Sequence, residues 1–255
     1  FSDDGEILWG AYGWRWSSYF SIDQINIIIK ILKENPEDRR AVLQMWDPVK
    51  DLNRQGKDVP CNTNIYFKVR DNKLNMTVCN RSNDMLWGAY GANVVHMSVL
   101  QEYMASAIGT EVGVYRQVSD SFHIYLNHSF KMLKNPYDTF ETPYEHLNLF
   151  THPDVLKREL YRFFNTSRWL SEGTLLLRHP NYFAFTEGWE NPALKNIAVP
   201  MIGAYAYYKE KDFNNSYKML DLIKAIDWRT ACLDWVHKRE KSFINKTERG
   251  ETHGH

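Results

Sequence analysis

The fold is decided by residues 63–78, which read TNIYFKVRDNKLNMTV. Residues 63–69 are rich in β-branched and aromatic side chains, and in residues 74–78 apolar and polar side chains alternate, as in a strand with one buried face. Asp71-Asn72 lies between the two runs and is typical of a tight turn. The stretch therefore predicts a β-hairpin within a sheet.

The segments on either side of this hairpin predict further strands and helices. Upstream, apolar residues recur at helical spacing over residues 22–34, and residues 41–46 are typical of a buried strand. Downstream, residues 93–108 predict a buried helix, and residues 112–118 and 122–126 predict two more strands.

The composition changes after about residue 130, where prolines punctuate a polar, aromatic stretch. Beyond it, helices are predicted over residues 153–165, 192–209, 213–226 and 228–242. The predicted fold class is therefore α+β, with a sheet-rich half followed by a helical half.

Charge and cysteine content narrow the classes of partner. Lys and Arg number 31 and Asp and Glu also number 31, so a long nucleic acid is not the expected partner, although two or three local arginines suffice for a small phosphate ligand. No apolar run is long enough to span a bilayer, and no membrane partner is expected. Because the three cysteines do not form a disulfide framework, we expect a cytoplasmic protein.

Cys61 and Arg81 are the first candidates for chemistry. Cys61 follows Pro60 at the entrance to a predicted strand, and Arg81 follows the next strand. A lone Cys is more often a small buried apolar residue, and an Arg is more often a surface charge. A guanidinium close to the thiol would instead lower its pKa and bind a phosphate dianion. Arg39 and Arg40, before the strand at residues 41–46, present the same choice.

Three further residues carry polar groups suited to a nucleoside. Asn93 stands at a helix entrance, where Asn is usually a cap, but its amide also matches the O4 and N3–H edge of uracil. His123 and Tyr125 are two residues apart, on one face of a predicted strand. Each is more often a core residue, and together they are suited to hold a sugar hydroxyl.

Five motifs in order resemble the thymidylate synthase family, between about residue 5 and residue 128. They are Tyr12-Gly13 with Trp16, Asn35-Pro36-Glu37-Asp38-Arg39-Arg40, Pro60-Cys61, Arg81-Ser82-Asn83-Asp84 with Gly88, and His123-Ile124-Tyr125-Leu126-Asn127-His128. The resemblance implies a twisted mixed sheet with flanking helices in a catalytic core over residues 1–130. Residues 131–255 would be divergent and mainly helical. The chain begins at Phe1, and we expect that an N-terminal part of the family is missing from this sequence.

The resemblance also implies a reaction. Cys61 would add to C6 of a pyrimidine nucleoside monophosphate, with dUMP favoured, and C5 would attack the methylene of 5,10-methylenetetrahydrofolate. Tyr12 would assist removal of the C5 proton, and Arg81 would bind the phosphate and polarise Cys61. Asp84 would face the pterin of the folate.

The remaining implied roles concern the nucleotide. Ser82 would join the substrate-binding residues, Asn93 would read the base, and His123 and Tyr125 would hold the ribose 3′-hydroxyl. Arg39 and Arg40 would reach the phosphate in the neighbouring subunit, which implies a homodimer with shared active sites.

Departures from the family pattern leave the product open. Asn62 stands where the family often has His, Ser121 replaces an Asp, and residues 88–93 are one residue longer, so that Ala92 competes with Asn93 as the base reader. The family's apolar C-terminal tail, which closes over the folate, has no counterpart. Its absence favours entry of water, and so hydroxymethylation.

Three functions therefore remain open. The first is methylation of dUMP to dTMP. The second is hydroxymethylation, either of dUMP or, as an alternative, of dCMP or CMP. The third is a non-catalytic nucleotide-binding protein on the same scaffold, which is disfavoured by the presence of Cys61, Arg81 and Tyr12. Asn93 favours uracil, because a carboxyl group would pair better with the 4-amino group of cytosine. A viral or a bacterial source would fit, and a virus-encoded protein would act in the host cytoplasm.

Overall fold

The computed structural model describes residues 8–126, 153–171 and 186–248. The chain divides into two compact units, Phe1–Tyr137 and Asp138–His255. Asn127 and His128, the last residues of the His-Ile-Tyr motif, lie outside the described residues. In the described ranges, no helix is both long and apolar enough to cross a membrane.

The first unit is built on a four-stranded mixed sheet with the strands in sequence order. Its strands are β1 (Val42–Gln44), β2 (Asn62–Arg70), β3 (Lys73–Asp84) and β4 (Glu111–His123). β1, β2 and β3 pair antiparallel, and β4 runs parallel to β3 because a helix returns the chain between them. The predicted hairpin and the α+β class are confirmed.

Helices flank this sheet. They are α1 (Tyr12–Trp14), which continues as the π-helical turn Arg15–Tyr19, then α2 (Gln24–Glu34), α3 (Pro48–Asp51) and α4 (Ala92–Ile108). The side chain of Asp23 caps α2 by accepting a hydrogen bond from the backbone of Asn26, 3.0 Å away. A second π-helical turn, Met85–Ala89, joins β3 to the approach of α4.

One face of the sheet carries the hydrophobic core, and the other face is open. The core joins α2 and α4 to the sheet through Ile28, Leu32, Leu43, Ile65, Phe67, Leu74, Met76, Val78, Met97 and Met104. On the opposite face, Tyr66 is 45% exposed and Val118 is 55% exposed. Within α4, Val95 and Val99 are also exposed, so this helix is less buried than its sequence suggests.

One predicted break in the sheet is wrong. Residues 112–118 and 122–126 were expected to form two strands, but β4 is a single strand that ends at His123. The polar residues 119–121 are typical of a turn, yet Ser119 and Ser121 continue the ladder opposite Asn80 and Ser82. Pairing with β3 therefore overrides the local preference.

The second unit is helical in its described part. Its helices are α5 (Pro153–Ser171), α6 (Val199–Lys209), α7 (Phe213–Leu220) and α8 (Ile226–Glu248), with a π-helical turn, Leu194–Ala198, before α6. The helix predicted over residues 213–226 ends earlier, at Leu220, and the next helix is longer than predicted.

Candidate active site

Cys61 is the last residue before β2 and is half-buried. The strand begins with a β-bulge at Asn62 and Asn64, where one extra residue interrupts the pairing with β3. The extra residue is Thr63, whose carbonyl oxygen accepts hydrogen bonds from Met45 and Trp46. Bulges of this kind redirect nearby side chains and are common beside functional sites.

Arg81, on β3, holds the chain at Cys61 and at the two residues before it. Its Nε donates to the carbonyl oxygen of Pro60 at 3.0 Å, and its Nη2 donates to that of Val59 at 3.2 Å. Its backbone N–H donates to the carbonyl oxygen of Cys61 at 3.0 Å. The guanidinium also lies 5.3 Å from the centre of the Trp46 ring. One residue thus fixes the backbone of residues 59–61 and sets a positive charge beside it.

The electrostatic setting of Cys61 is a balance of opposing effects. Burial raises the pKa of the Cys61 thiol, Arg81 acts to lower it, and Asp58 acts to raise it, with the net direction upward. The lowering by Arg81 expected from sequence is present, but burial outweighs it. The thiol in this state is therefore more protonated than an ordinary cysteine.

Tyr12 begins a chain of side-chain hydrogen bonds. Its hydroxyl donates to Oδ1 of Asn93 at 3.2 Å, and Nδ2 of Asn93 donates to Oδ1 of Asn83 at 3.2 Å. Nδ2 of Asn83 then donates to Oγ of Ser119 on β4, 2.9 Å away. Burial and then the neighbouring Cys61 raise the pKa of Tyr12, while backbone hydrogen bonds from Asn62 and Cys61 act in the opposite direction. The net rise keeps the phenol protonated, so its O–H group serves as a hydrogen-bond donor and not as a base.

A buried ion pair anchors the segment that carries Tyr12. The guanidinium of Arg15 is fully buried and forms two 2.8 Å hydrogen bonds to the two carboxylate oxygens of Asp51. Arg15 Nη1 also donates to the carbonyl oxygen of Met45 at 2.7 Å, and the guanidinium carbon lies 4.4 Å from the centre of the Tyr19 ring. These contacts tie the first helical segment to α3 and to the end of β1.

Asp84 ends β3 and is buried. Its Oδ1 accepts hydrogen bonds from the backbone of Leu86 at 3.0 Å and of Trp87 at 2.6 Å. Its Oδ2 is buried without a hydrogen-bond partner among the described residues. A buried carboxylate oxygen left in this condition suits a ligand that offers an N–H donor, as a pterin does.

His123 and Tyr125 lie at the same end of the sheet as Cys61. His123 pairs with Asp84 at the end of β4, and Ser82 pairs with Ser121 two residues earlier. Tyr125 follows the strand rather than lying within it, and its ring meets that of His123 edge to face at 5.0 Å. The two rings are therefore adjacent, but the expectation that both lie on one face of a strand is wrong, because β4 ends at His123.

Arg39 and Arg40 lie at the opposite end of the sheet. Ala41, the residue after Arg40, accepts a backbone hydrogen bond from Phe67 on β2. Phe67 is six residues from Cys61, so at about 3.3 Å per residue the two arginines lie roughly 20 Å from the thiol. Both arginines are exposed, and Arg40 pairs with Asp38 at 2.7 Å. They line a shallow pocket together with Arg70. Within one chain they do not reach a small ligand at Cys61.

A cleft of about 640 Å³ opens beside Tyr12. Tyr12, Asn93, Asp58 and His96 contribute to its lining, and the His96 ring lies edge-on to Tyr12 with 6.4 Å between ring centres. The cleft is mostly apolar, as small-molecule sites commonly are. Cys61 and Arg81 are not among the residues that line it, so the roles expected of Tyr12 and Asn93 stay predictions.

Sequence reasoning missed the amide side chains beneath the site. Asn62 is fully buried, donates from Nδ2 to the side-chain oxygen of Asn80, and leaves its own Oδ1 without a partner among the described residues. Asn80 in turn donates to the carbonyl oxygen of Val118 at 3.3 Å. The available signal was the recurrence of Asn on β2 and β3 at positions where a core residue is usual.

Comparisons with known proteins give matches to one family. The family profile described as thymidylate synthase matches residues 1–160. The chain is 39% identical over 265 residues to a deoxyuridylate hydroxymethyltransferase of Pseudomonas phage M6, an alignment that covers 100% of this chain and 73% of that protein. It is 41% identical over 138 residues to the deoxyuridylate hydroxymethyltransferase of Bacillus phage SP01, covering 50% of this chain and 36% of that protein.

Proposed function

The chain belongs to the thymidylate synthase family, and from this premise we propose that it attaches a one-carbon unit to C5 of dUMP through a covalent Cys61–C6 adduct. The observation that carries the proposal is the clamp of Arg81 on the carbonyls of Val59 and Pro60. The clamp sets the thiol and a fixed positive charge side by side, at the end of the sheet that also carries Tyr12.

The residues act in a defined order. The Cys61 thiolate forms a bond to C6, and the electron pair of the C5–C6 double bond moves to C5 and O4. Arg81 binds the phosphate and favours the thiolate. Because the phenol of Tyr12 stays protonated, it orients a water that removes the C5 proton rather than removing the proton itself.

Asp84 is the residue that would hold the pterin of 5,10-methylenetetrahydrofolate, since its buried Oδ2 has no partner among the described residues. The folate supplies the one-carbon unit when bound. Ser82, His123 and Tyr125 would complete the nucleotide site, with the two aromatic side chains on the sugar.

The product we infer is 5-hydroxymethyl-dUMP: tetrahydrofolate leaves, water adds to the resulting exocyclic methylene, and the Cys61 thiolate departs from C6 as the C5–C6 double bond is restored. The observation that favours it over dTMP is the match across the whole of this chain to a protein named deoxyuridylate hydroxymethyltransferase. Since both of these relatives come from phages, we propose a virus-encoded enzyme that acts in the cytoplasm of an infected cell.

The active unit we propose is a homodimer that shares its sites. Arg39 and Arg40 lie roughly 20 Å from Cys61 along the sheet. These arginines can therefore bind the phosphate of a nucleotide at Cys61 only if they belong to a second copy of the chain. A two-fold axis through the open face of the sheet would bring the far end of one copy over the near end of the other. Tyr66 and Val118 supply exposed apolar surface on that face.

The test is a product assay. The protein is incubated with dUMP and methylenetetrahydrofolate. The mass of the nucleotide product is measured by mass spectrometry, and formation of dihydrofolate is followed by absorbance. We expect a hydroxymethylated nucleotide and no dihydrofolate, and no product from Cys61→Ala, which should still bind dUMP. A methylated product with dihydrofolate would make the enzyme a thymidylate synthase. Turnover by Cys61→Ala would refute the adduct.

A further inference from the structure

Asn93 is not the only residue that decides which base the site reads. We propose that Asn83 is a specificity-determining positioning residue, which holds the amide of Asn93 in the orientation that accepts uracil and rejects cytosine. The inference rests on the proposed function, because it assumes that a pyrimidine faces Asn93.

An amide side chain reads either base, depending on which way round it stands. Uracil presents a donor at N3–H and an acceptor at O4, whereas cytosine presents an acceptor at N3 and a donor at the 4-amino group. Rotating an Asn amide by half a turn exchanges its donor and acceptor and so exchanges the base that it fits. Base choice therefore depends on whatever prevents this rotation.

Asn83 holds the nitrogen end of Asn93. Its Oδ1 accepts a hydrogen bond from Nδ2 of Asn93 at 3.2 Å, and its own Nδ2 donates to Oγ of Ser119 at 2.9 Å. Asn83 is only 1% exposed, so water cannot readily replace this acceptor. If the Asn93 amide turned over, two oxygens would face each other in a buried site, which is costly.

Tyr12 holds the oxygen end. Its hydroxyl donates to Oδ1 of Asn93 at 3.2 Å, and the backbone N–H groups of Cys61 and Asn62 already face its oxygen, since both act to lower the pKa of the phenol. A turned amide would present N–H groups to an oxygen that is supplied with donors. After both contacts, Asn93 keeps one N–H and one oxygen lone pair, which is the set that the N3–H and O4 edge requires.

Gly88 leaves the space in which the Asn83–Asn93 pair sits. A Cβ at this position would collide with Oδ1 of Asn83 and lie 3.1 Å from Nδ2 of Asn93. The π-helical turn, Met85–Ala89, therefore passes close to the pair and packs it from the side. Asn83 is therefore held by its own strand, β3, by Ser119 on β4, and by the backbone of the turn at Gly88.

The experiment compares dUMP with dCMP in the full chain. Calorimetry gives the dissociation constant for each nucleotide, and tritium release from nucleotide labelled at C5 gives each kcat/KM in the presence of methylenetetrahydrofolate. In Asn83→Ala we expect the preference for dUMP over dCMP to fall by about tenfold, as the loss of one buried orienting hydrogen bond implies. In Asn83→Asp, which keeps an acceptor towards Asn93, we expect the preference to survive.

Ser119→Ala is the second variant, for use if Asn83→Ala does not fold. Without the Ser119 hydroxyl, Asn83 loses its acceptor and can rotate, so the preference should fall in the same direction by a smaller factor. An unchanged preference in the folded variants overturns the inference, as does a wild-type protein that prefers dCMP or binds neither nucleotide. A wild-type protein that prefers dUMP in binding but releases no tritium overturns the proposed function alone.

Discussion

Arg81 donates from Nε to the carbonyl oxygen of Pro60 across 3.0 Å, and this contact joins the third strand to the residue that precedes the thiol. The same guanidinium reaches the carbonyl of Val59, so its planar fork fits two successive carbonyls. One side chain therefore holds the backbone that carries the nucleophile and places a positive charge beside it, and the two effects can be separated by substitution.

Replacing Arg81 should show how much of its effect is geometry. Arg81→Lys keeps the charge but loses the fork, and we expect kcat/KM for dUMP to fall by about tenfold. Arg81→Gln loses both, and the fall should reach roughly a hundredfold. Steady-state tritium release from labelled dUMP measures both values. Arg158→Gln, which removes an exposed guanidinium paired with Glu190, is the matched control and should leave the rate unchanged. Equal rates in all variants would remove Arg81 from the site.

The pH at which Cys61 becomes reactive should depend on two neighbouring charges. Arg81 lowers the pKa of the thiol and Asp58 raises it. Burial raises the pKa of the thiol, so its alkylation rate should rise with pH through a midpoint above the ordinary value of about 8.5. Because Arg81 lowers the pKa, Arg81→Gln should move the midpoint up. Because Asp58 raises it, Asp58→Asn should move the midpoint down. Iodoacetamide titration in a background of Cys79→Ser and Cys232→Ser isolates the one thiol. Shifts of both variants in the same direction would contradict this balance.

The hairpin could be predicted from sequence because its determinants are local. Asp71 and Asn72 both have positive φ, 52° and 58°, which a two-residue hairpin turn requires and which Asp and Asn tolerate. The alternation in β3 gave the buried face correctly, with Leu74, Met76 and Val78 fully buried. The residues of the turn and the two-residue alternation of buried side chains together allow only one pairing register for β2 and β3.

The contacts that position the site could not be predicted in the same way. Arg15 meets Asp51 across 36 residues, and Asn83 meets Ser119 across the same separation. Such pairs are fixed by the packing of whole elements, and a single sequence carries no local sign of them. The resemblance to a family assigned roles to single residues, whereas the partners that orient them follow only from the fold.

A methyl group at residue 88 should disturb the pair beneath the base-reading residue. In Gly88→Ala the new Cβ would overlap Oδ1 of Asn83, so we expect the free energy of unfolding to fall by about 1–3 kcal/mol, the usual cost of overpacking. The preference for dUMP over dCMP should shrink with it. Urea unfolding and paired calorimetry measure the two effects. Gly13→Ala, where a Cβ meets nothing within 4 Å, is the packing control and should not lose stability. Equal stability of Gly88→Ala and wild type would contradict the overlap.

Mixed dimers should recover activity that neither parent has. Cys61→Ala lacks the nucleophile, and the double variant Arg39→Ala/Arg40→Ala lacks the phosphate contacts, so each should be inactive alone. If each site combines Cys61 of one copy with the arginine pair of the other, an equal mixture after subunit exchange should regain about a quarter of wild-type activity, since half of the dimers hold one complete site. Activity that stays at the level of the parents would contradict shared sites.

Removing one charge of the buried Arg15–Asp51 ion pair should lower the free energy of unfolding more than replacing both residues by apolar ones. Asp51→Asn leaves the fully buried guanidinium of Arg15 without a counter-charge, so we expect the free energy of unfolding to fall by about 3–5 kcal/mol. The double variant Arg15→Met/Asp51→Leu removes both charges and should lose less than either single variant. Burial acts to raise the pKa of Asp51 but the hydrogen bonds from Arg15 lower it, with the net direction downward. The contribution of the pair is therefore complete above the ordinary carboxyl pKa of about 3.9 and is lost as the pH falls below it. Urea unfolding between neutral and acidic pH measures both effects. A double variant less stable than both singles would show that the pair stabilises the fold by attraction, beyond compensating its own burial.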